Sequence, residues 1–251
     1  MNNISVVIIT KNEAHVIGNT LQSLEGLTDD IVIVDSGSSD DTIRICQQYK
    51  TRIIETGWAG YGMNKNMGID AAYHDWILSL DADEAIDDEL KQALRDLEPA
   101  NDSIVFNIRF KNFFCNKWIR YGEWGSDTHI RLFNRKRIRW NADAVHESLI
   151  LPVDTIKINL KGNILHYTVS SGQEYEHKID SYARLNAQKY YEEGKRAGFF
   201  KMYCAPLFAF IQFFIFRLGF LDGKEGLVIA KATMHYTYLK YHYLNNLNRA
   251  G

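Results

Sequence analysis

The chain has 251 residues, is 46% hydrophobic and 24% charged, and carries 29 Lys and Arg against 31 Asp and Glu, a formal net charge of −2. Such a composition excludes a disordered or low-complexity chain and suits one large domain, or one domain with an appendage. Three widely separated cysteines, Cys46, Cys115 and Cys204, fit neither a disulfide framework nor a zinc motif. They read as reduced thiols of a cytosolic protein, and no signal peptide is expected from the residues ahead of the first strand.

Ile4–Thr10 is β-branched and nearly continuous, the pattern of a buried strand. A polar turn at Lys11–Glu13 leads into a helix whose Ile17, Leu21 and Leu24 share one face. A second strand, Ile31–Val34, ends in Asp35-Ser-Gly-Ser-Ser-Asp-Asp41, where Ser39 or Asp40 can cap a helix reaching Tyr49. Arg52–Glu55 predicts a third short strand, and a glycine-rich loop over 56–62 precedes a helix from about Met63 to Tyr73. A fourth strand ends at Asp81, and Asp87 can cap a helix carrying Leu90, Ala93, Leu94 and Leu97. Strands alternating with helices through short loops predict a parallel sheet of right-handed βαβ units.

From Asp102 the alternation stops. Ser103–Phe114 alternates with period two, as an antiparallel strand with one wet face does. Residues 131–133 and 138–140 predict a hairpin around 134–137, followed by strand-like pieces at 145–147 and 164–167. After Gly172 the pattern is helical, with Gly219 and Gly223 as interruptions. The expected organisation is a catalytic domain over 1–170, divided into a nucleotide-sugar-binding half (1–100) and an acceptor-side half (101–170), with a helical extension over 171–251.

Trp76-Ile-Leu-Ser-Leu-Asp-Ala-Asp-Glu84 is the stretch from which chemistry can be read first. Desolvating an unpaired carboxylate costs several kcal/mol, so Asp81, Asp83 and Glu84 belong where the strand leaves the sheet. Open α/β sheets bind their ligands at that edge. Asp81 and Asp83 are two apart, and on a continuing strand both face one side, where a hard cation such as Mg²⁺ or Mn²⁺ would relieve their repulsion. Thr10–Asn12 and Asp35–Ser36 end their strands on the same edge.

Charge is uneven along the chain. Residues 156–251 hold 13 Lys and Arg against 7 Asp and Glu, the remaining residues 16 against 24. An acidic sheet half without a basic stripe argues against a nucleic-acid partner. The most apolar run, Pro206–Leu221, has 16 residues and includes Gln212 and Arg217, short of the about 20 that cross a bilayer. It reads as an interfacial or buried helix.

Ser5–Glu13, Val34–Asp40 and Leu80–Glu84 together resemble the corresponding motifs of glycosyltransferase family 2, whose nucleotide-sugar-binding fold is called GT-A. Trp58–Asn66, Arg131–Phe133, Val145–Glu147 and Gly219–Gly223 are similar to a subgroup of bacterial lipopolysaccharide core β-glucosyltransferases. The resemblance implies an α/β fold, a GT-A-type mixed sheet flanked by helices with a helical C-terminal extension. It implies a UDP-sugar donor, with glucose the usual sugar, and a lipid A–core oligosaccharide acceptor, a heptose by analogy. The reaction would invert the anomeric centre, in the cytoplasm at the inner face of the inner membrane, where the basic C-terminal segment would hold the protein peripherally.

The resemblance also implies residue roles. Asn12, Glu13 and Asp35 would line uracil and ribose, with Thr10 and Ser36 also among the donor-binding residues; Asp81 would lie near the ribose, and Asp83 would bind the divalent cation on the diphosphate. Lys65 would reach a phosphate, and Arg131 the diphosphate or the acceptor, unless it pairs with Asp127. His146 would be a further metal ligand, an orienter of the acceptor or a structural histidine. Many relatives carry a Glu-Asp pair on a helix as base. No copy stands in the expected region here, so the base falls to Glu147 or Asp127. Two rivals come from other classes: a sugar nucleotidyltransferase, against which Lys11–Glu13 in place of a basic glycine-rich loop argues, and a non-catalytic carbohydrate- or metal-binding module.

Overall fold

The computed structural model describes residues 3–141, 147–169 and 172–250. They form two compact units, Met1–Phe110 with Thr128–His166, and Lys111–Asp127 with Tyr167–Gly251. The division differs from the single boundary expected at 170: residues 111–127 belong with the helical part.

In the first unit the predicted alternation is present. The elements are β1 (Ile4–Thr10), α1 (Ile17–Ser23), β2 (Ile31–Asp35), α2 (Thr42–Cys46), β3 (Arg52–Glu55), α3 (Tyr61–Ala71) and β4 (Trp76–Asp81). They continue with β5 (Glu84–Ile86), α4 (Asp88–Arg95) and β6 (Ile104–Phe114). After β7 (Lys117–Trp118), which lies in the second unit, come β8 (Thr128–Asn134), β9 (Arg139–Trp140), β10 (Leu149–Ile150) and β11 (Ile156–Val169). The last four residues of β6 and the last three of β11 belong to the second unit. The main sheet runs β3-β2-β1-β4-β8-β6-β11-β5. Its first four strands are parallel, and β8 joins it antiparallel to β4 and β6. All seven residues of β1 are buried. Val6 and Ile8 pack on one side with Leu21, Leu78 and Leu80, while Val7 and Ile9 pack on the other with Val34, Ile69 and Ile77. Each such side chain contributes about 1.5–3 kcal/mol on burial.

Register places the polar strand ends side by side. Thr10 is opposite Asp35 and Ile9 opposite Asp81. The expected cap of α4 is present, Asp87 accepting a hydrogen bond from Leu90 N at 3.0 Å.

Three expectations change. The second helix ends at Cys46 rather than Tyr49, and Asp40 accepts from Thr42 N at 3.0 Å just ahead of it. The hairpin expected over 131–140 is absent: β8 lies between β4 and β6, and β9 pairs with β10. The reason is burial, since Arg131, Leu132, Phe133 and Asn134 are all buried and need neighbours on both edges. Asn66 of α3 instead serves β9, its Oδ1 accepting from Trp140 N at 3.2 Å and its Nδ2 donating to Trp140 O at 2.9 Å. Third, β11 starts eight residues before the expected strand at 164. The strand-like piece expected at 145–147 lies largely outside the described residues.

Two glycines permit close approaches that position α3. A Cβ on Gly62 would meet Asn141 O at 2.0 Å, and one on Gly68 would meet Val7 Cγ1 at 2.4 Å.

The second unit contains α5 (Gly172–Glu192), α6 (Phe199–Ile211) and α7 (Gly223–Ala250), with both α5 and α6 packed on α7. Beyond α6 the chain continues as a π turn over Gln212–Phe216 and a 3₁₀ turn over Gly219–Asp222. Phe114, Ile119, Val169, Phe213, Ile229 and Ala230 form its core. Asp222 is buried and accepts from Arg120 N at 3.1 Å and Tyr121 N at 3.0 Å. Lys117 Nζ donates to Asp222 O and reaches Glu225 at 2.7 Å. The Gly219–Gly223 motif is therefore a clamp on β7 and the residues that follow it, through Asp222. The helical run begins at Phe199, seven residues before the apolar stretch read from the sequence. By length and composition Phe199–Phe216 is long and apolar enough to cross a membrane.

Candidate active site

The carboxyl edge of the first unit gathers alternating charges. At the end of β4, Asp81 lies 3.1 Å from Lys65 Nζ and 3.2 Å from Arg131 Nη2. Lys65 comes from α3 and is almost wholly buried, its ammonium 4.5 Å over the Trp140 ring and 3.0 Å from Glu147 Oε1. Arg131, from β8, also pairs with Glu84 of β5, and Glu84 Oε2 accepts from Asp81 N at 3.0 Å. Asp83 Oδ2 faces His166 Nε2 of β11 at 3.4 Å, because His166 sits opposite Glu84 in the β5–β11 ladder. Four carboxylates thus share the two basic side chains Lys65 and Arg131 and one histidine. Asp81, Arg131, Trp140 and Glu147 line a cavity of about 530 Å³, together with Asn107 and His129.

Burial and charge pull these groups in different directions. Burial disfavours the ionised form of Asp81, but Lys65 and Arg131 outweigh it and hold the carboxyl well below the usual range. Glu84 moves the other way: burial raises it, the charges of Asp81 and Asp83 add to that, and Arg131 opposes. Burial would lower Arg131, yet Glu84 and Asp81 raise it, keeping it a fixed cation. His166 is raised as well, burial being overcome by Asp83, Glu84 and Asp81.

A second group of polar residues meets at the ends of β1 and β2. Buried Asp35 accepts from Gly37 N and Ser38 N at 2.9 Å each, and from Ser38 Oγ at 2.5 Å. A carboxylate has about four acceptor sites, so one remains for a further donor. Asn12 has a positive φ of 57° and accepts from Ser39 N at 2.7 Å. Glu13 N donates to Thr42 Oγ1 at 2.8 Å, Ser36 Oγ accepts from Asn64 Nδ2 at 2.7 Å, and Thr10 Oγ1 is buried with no hydrogen-bond partner among the described residues.

Thr10, Asn12, Glu13, Asp35, Ser36, Lys65, Asp81, Asp83, Arg131 and Glu147 therefore all lie in the first unit. Asp127 lies in the second, where Asn112 Nδ2 approaches its carboxylate at 3.4 Å. His146 is outside the described residues. Sequence reasoning left Glu84 and Trp140 without roles and missed His166. The available signal was a histidine inside the apolar run Ile164-Leu-His-Tyr167. Among the described residues no three or more His, Cys, Asp or Glu side chains form a metal-holding group. The Asp83–His166 pair still suits an open divalent site. Its nitrogen and oxygen are within reach of one ion, carboxylate is in excess, and Mg²⁺ commonly takes few protein ligands beside water and phosphate.

Residues 5–151 match the profile of glycosyl transferase family 2. The chain belongs to that family. The mixed sheet with flanking helices is its GT-A fold, and the nucleotidyltransferase and binding-module readings give way to glycosyl transfer. Among family relatives, the lipopolysaccharide core biosynthesis glycosyltransferase LpsC of Rhizobium meliloti is 29% identical over 95% of this chain and 93% of its own length. A glycosyltransferase of Rickettsia typhi is 27% identical over 91% of this chain and 82% of its own. The crystal structure of Staphylococcus aureus TarS residues 1–349 in complex with UDP-GlcNAc is 17% identical, with a TM-score of 0.48 over 98% of this chain and 90% of that one.

Proposed function

We propose that this glycosyltransferase moves a hexose, glucose in the first instance, from its UDP conjugate to a sugar of the lipopolysaccharide inner core, a heptose by analogy, with inversion. The observation that carries the donor side is the cluster of Lys65, Asp81, Arg131 and Glu84 beside Asp83 and His166, at the strand ends where α/β sheets bind nucleotides. The acceptor class rests on the likeness to LpsC along nearly the whole chain. Such an acceptor is carried on lipid, so the reaction runs at the cytoplasmic face of the inner membrane.

In this reading Asp35 accepts the uracil N3–H with its remaining lone pair, while Thr10, Asn12, Glu13 and Ser36 enclose base and ribose. Asp83 and His166 would hold Mg²⁺ or Mn²⁺, which when bound neutralises charge on the departing diphosphate. Lys65 fixes Asp81 and Glu147 relative to one another and, with Arg131, adds positive charge for the diphosphate. Glu147 borders the cavity and takes the proton of the acceptor hydroxyl as that oxygen bonds to the anomeric carbon and the bond to UDP breaks. Asp127, in the other unit, is the second candidate for that proton.

The test is a thermal-shift titration with UDP, with and without Mn²⁺, on the wild type and on Asp83→Ala. A ligand bound at about 100 times its Kd adds about 2.7 kcal/mol to stability. Mn²⁺ should enlarge the UDP shift, and the substitution should remove the enlargement. Absence of any UDP shift in the presence of metal would overturn the proposal.

A further inference from the structure

The second unit carries an apolar strip that points to a membrane contact of definite chemistry. Phe199, Phe200, Tyr203, Leu207, Phe208 and Phe216 are each more than half exposed. Only 11% of the stretch Phe199–Phe216 is buried, the opposite of a helix serving a protein core. Positions 200, 203 and 207 recur at three- and four-residue steps, so they share one helix face. Leu218, Phe220 and Leu221 extend the exposed apolar surface beyond the π turn. Apolar surface on this scale marks an interaction site rather than ordinary exposure.

Charge identifies the occupant. Between Lys195 and Lys231 the chain has six Lys and Arg and two acids, with Lys195 paired to Glu193 and Arg217 to Glu123. Both acids are engaged within the unit: Asp222 is buried against Arg120 N and Tyr121 N, and Glu225 pairs with Lys117. Arg196, Lys201 and Lys224 are exposed. An apolar strip flanked by cations fits an anionic surface with a hydrocarbon interior better than it fits a purely apolar partner.

We infer that this face docks on an anionic lipid bilayer, with α6 lying in the interfacial plane rather than crossing it. Pro206 sits inside the helix, the helix changes to a π turn at Gln212, and Lys201 and Arg217 interrupt or close the apolar stretch. The inference deepens the functional reading by naming the surface and the lipid class, and rests on that reading only for which membrane is met.

The experiment is flotation of the full chain with vesicles of phosphatidylcholine alone, and of phosphatidylcholine with phosphatidylglycerol. It is done on the wild type and on Phe200→Glu combined with Phe216→Glu. The expected result is binding to the anionic vesicles, weakened by salt, and a loss of about tenfold in the double variant with the mass in solution unchanged. Retention of the UDP–Mn²⁺ thermal shift by the variant shows that it remains folded. The inference is overturned if the wild type ignores anionic vesicles or if the double variant binds as well as the wild type. It is equally overturned if the wild type is a dimer that the variant converts to monomer, or if only detergent, and not alkaline carbonate, releases the bound chain. Failure of flotation with an intact UDP shift removes the docking surface alone; failure of the UDP shift with intact flotation removes the nucleotide-sugar reading alone.

Discussion

Replacing Arg131 by Met probes the charge cluster directly. Arg131 and Glu84 are 8% and 1% exposed, and the guanidinium is the cation that Glu84 contacts. Its loss leaves Glu84 buried beside two other carboxylates, whereas Asp81 keeps Lys65 at 3.1 Å. Breaking one side of a buried ion pair costs about 3–5 kcal/mol, far more than losing a surface pair. Adding Glu84→Gln removes the stranded charge, so the double variant should recover about 1–3 kcal/mol relative to additivity. Glu84 is raised above its unfolded value by burial and its acidic neighbours, so ionising it destabilises the fold as pH rises, and more so without Arg131. The deficit of Arg131→Met should therefore shrink between neutral pH and about pH 5. Urea unfolding followed by circular dichroism measures all three variants. A cost below about 1 kcal/mol for Arg131→Met, or strict additivity with Glu84→Gln, would refute the cluster as a unit.

Three further outcomes are expected. Glu147→Gln should lower kcat by about 10²–10⁴-fold with the UDP thermal shift retained, and a loss below tenfold in a sugar-transfer assay would pass the base to Asp127. Gly62→Ala should cost about 1–3 kcal/mol in urea unfolding and impair transfer, since its methyl would lie 2.0 Å from Asn141 O on the flank of the Glu147 site. Asp30→Asn should lose about 1.5–3 kcal/mol at neutral pH. Burial raises the Asp30 carboxyl, but hydrogen bonds from Ser5 and Tyr73 N and the Arg52 guanidinium bring it below its usual value. That stability is present above the unfolded pKa of about 3.9 and is lost as pH falls through the folded value, so wild type and variant should converge in acid unfolding curves.

The legible part of the fold was the part governed by local pattern. The runs of β1, β2 and β4 and the polar residues ending them announce a parallel sheet and its ligand edge, and register then sets Thr10, Asp35 and Asp81 side by side. The 131–140 region was not legible, because a hairpin and a strand inserted between two others share the same local signal. Burial of β8 on both edges decides between them, and burial is a property of the whole sheet. His166 was hidden for a related reason. Its place in the cluster comes from facing Asp83, 83 positions earlier, because the β5–β11 ladder sets it opposite Glu84. The segment 111–127 shows the same limit at larger scale, since its aromatic and apolar residues find their partners only among helices far along the chain.

Asn66 and Lys65 are consecutive residues of one helix, and their jobs differ. The amide of Asn66 stands in for a neighbouring strand along the Trp140 backbone, while the ammonium of Lys65 holds the side chain of Glu147. The short β9–β10 ladder and the carboxylate just ahead of β10 are thus both fastened to a single turn of α3, which serves as their common anchor. Because Lys65 also reaches Asp81 at 3.1 Å, the same turn ties that carboxylate and backbone to the end of β4.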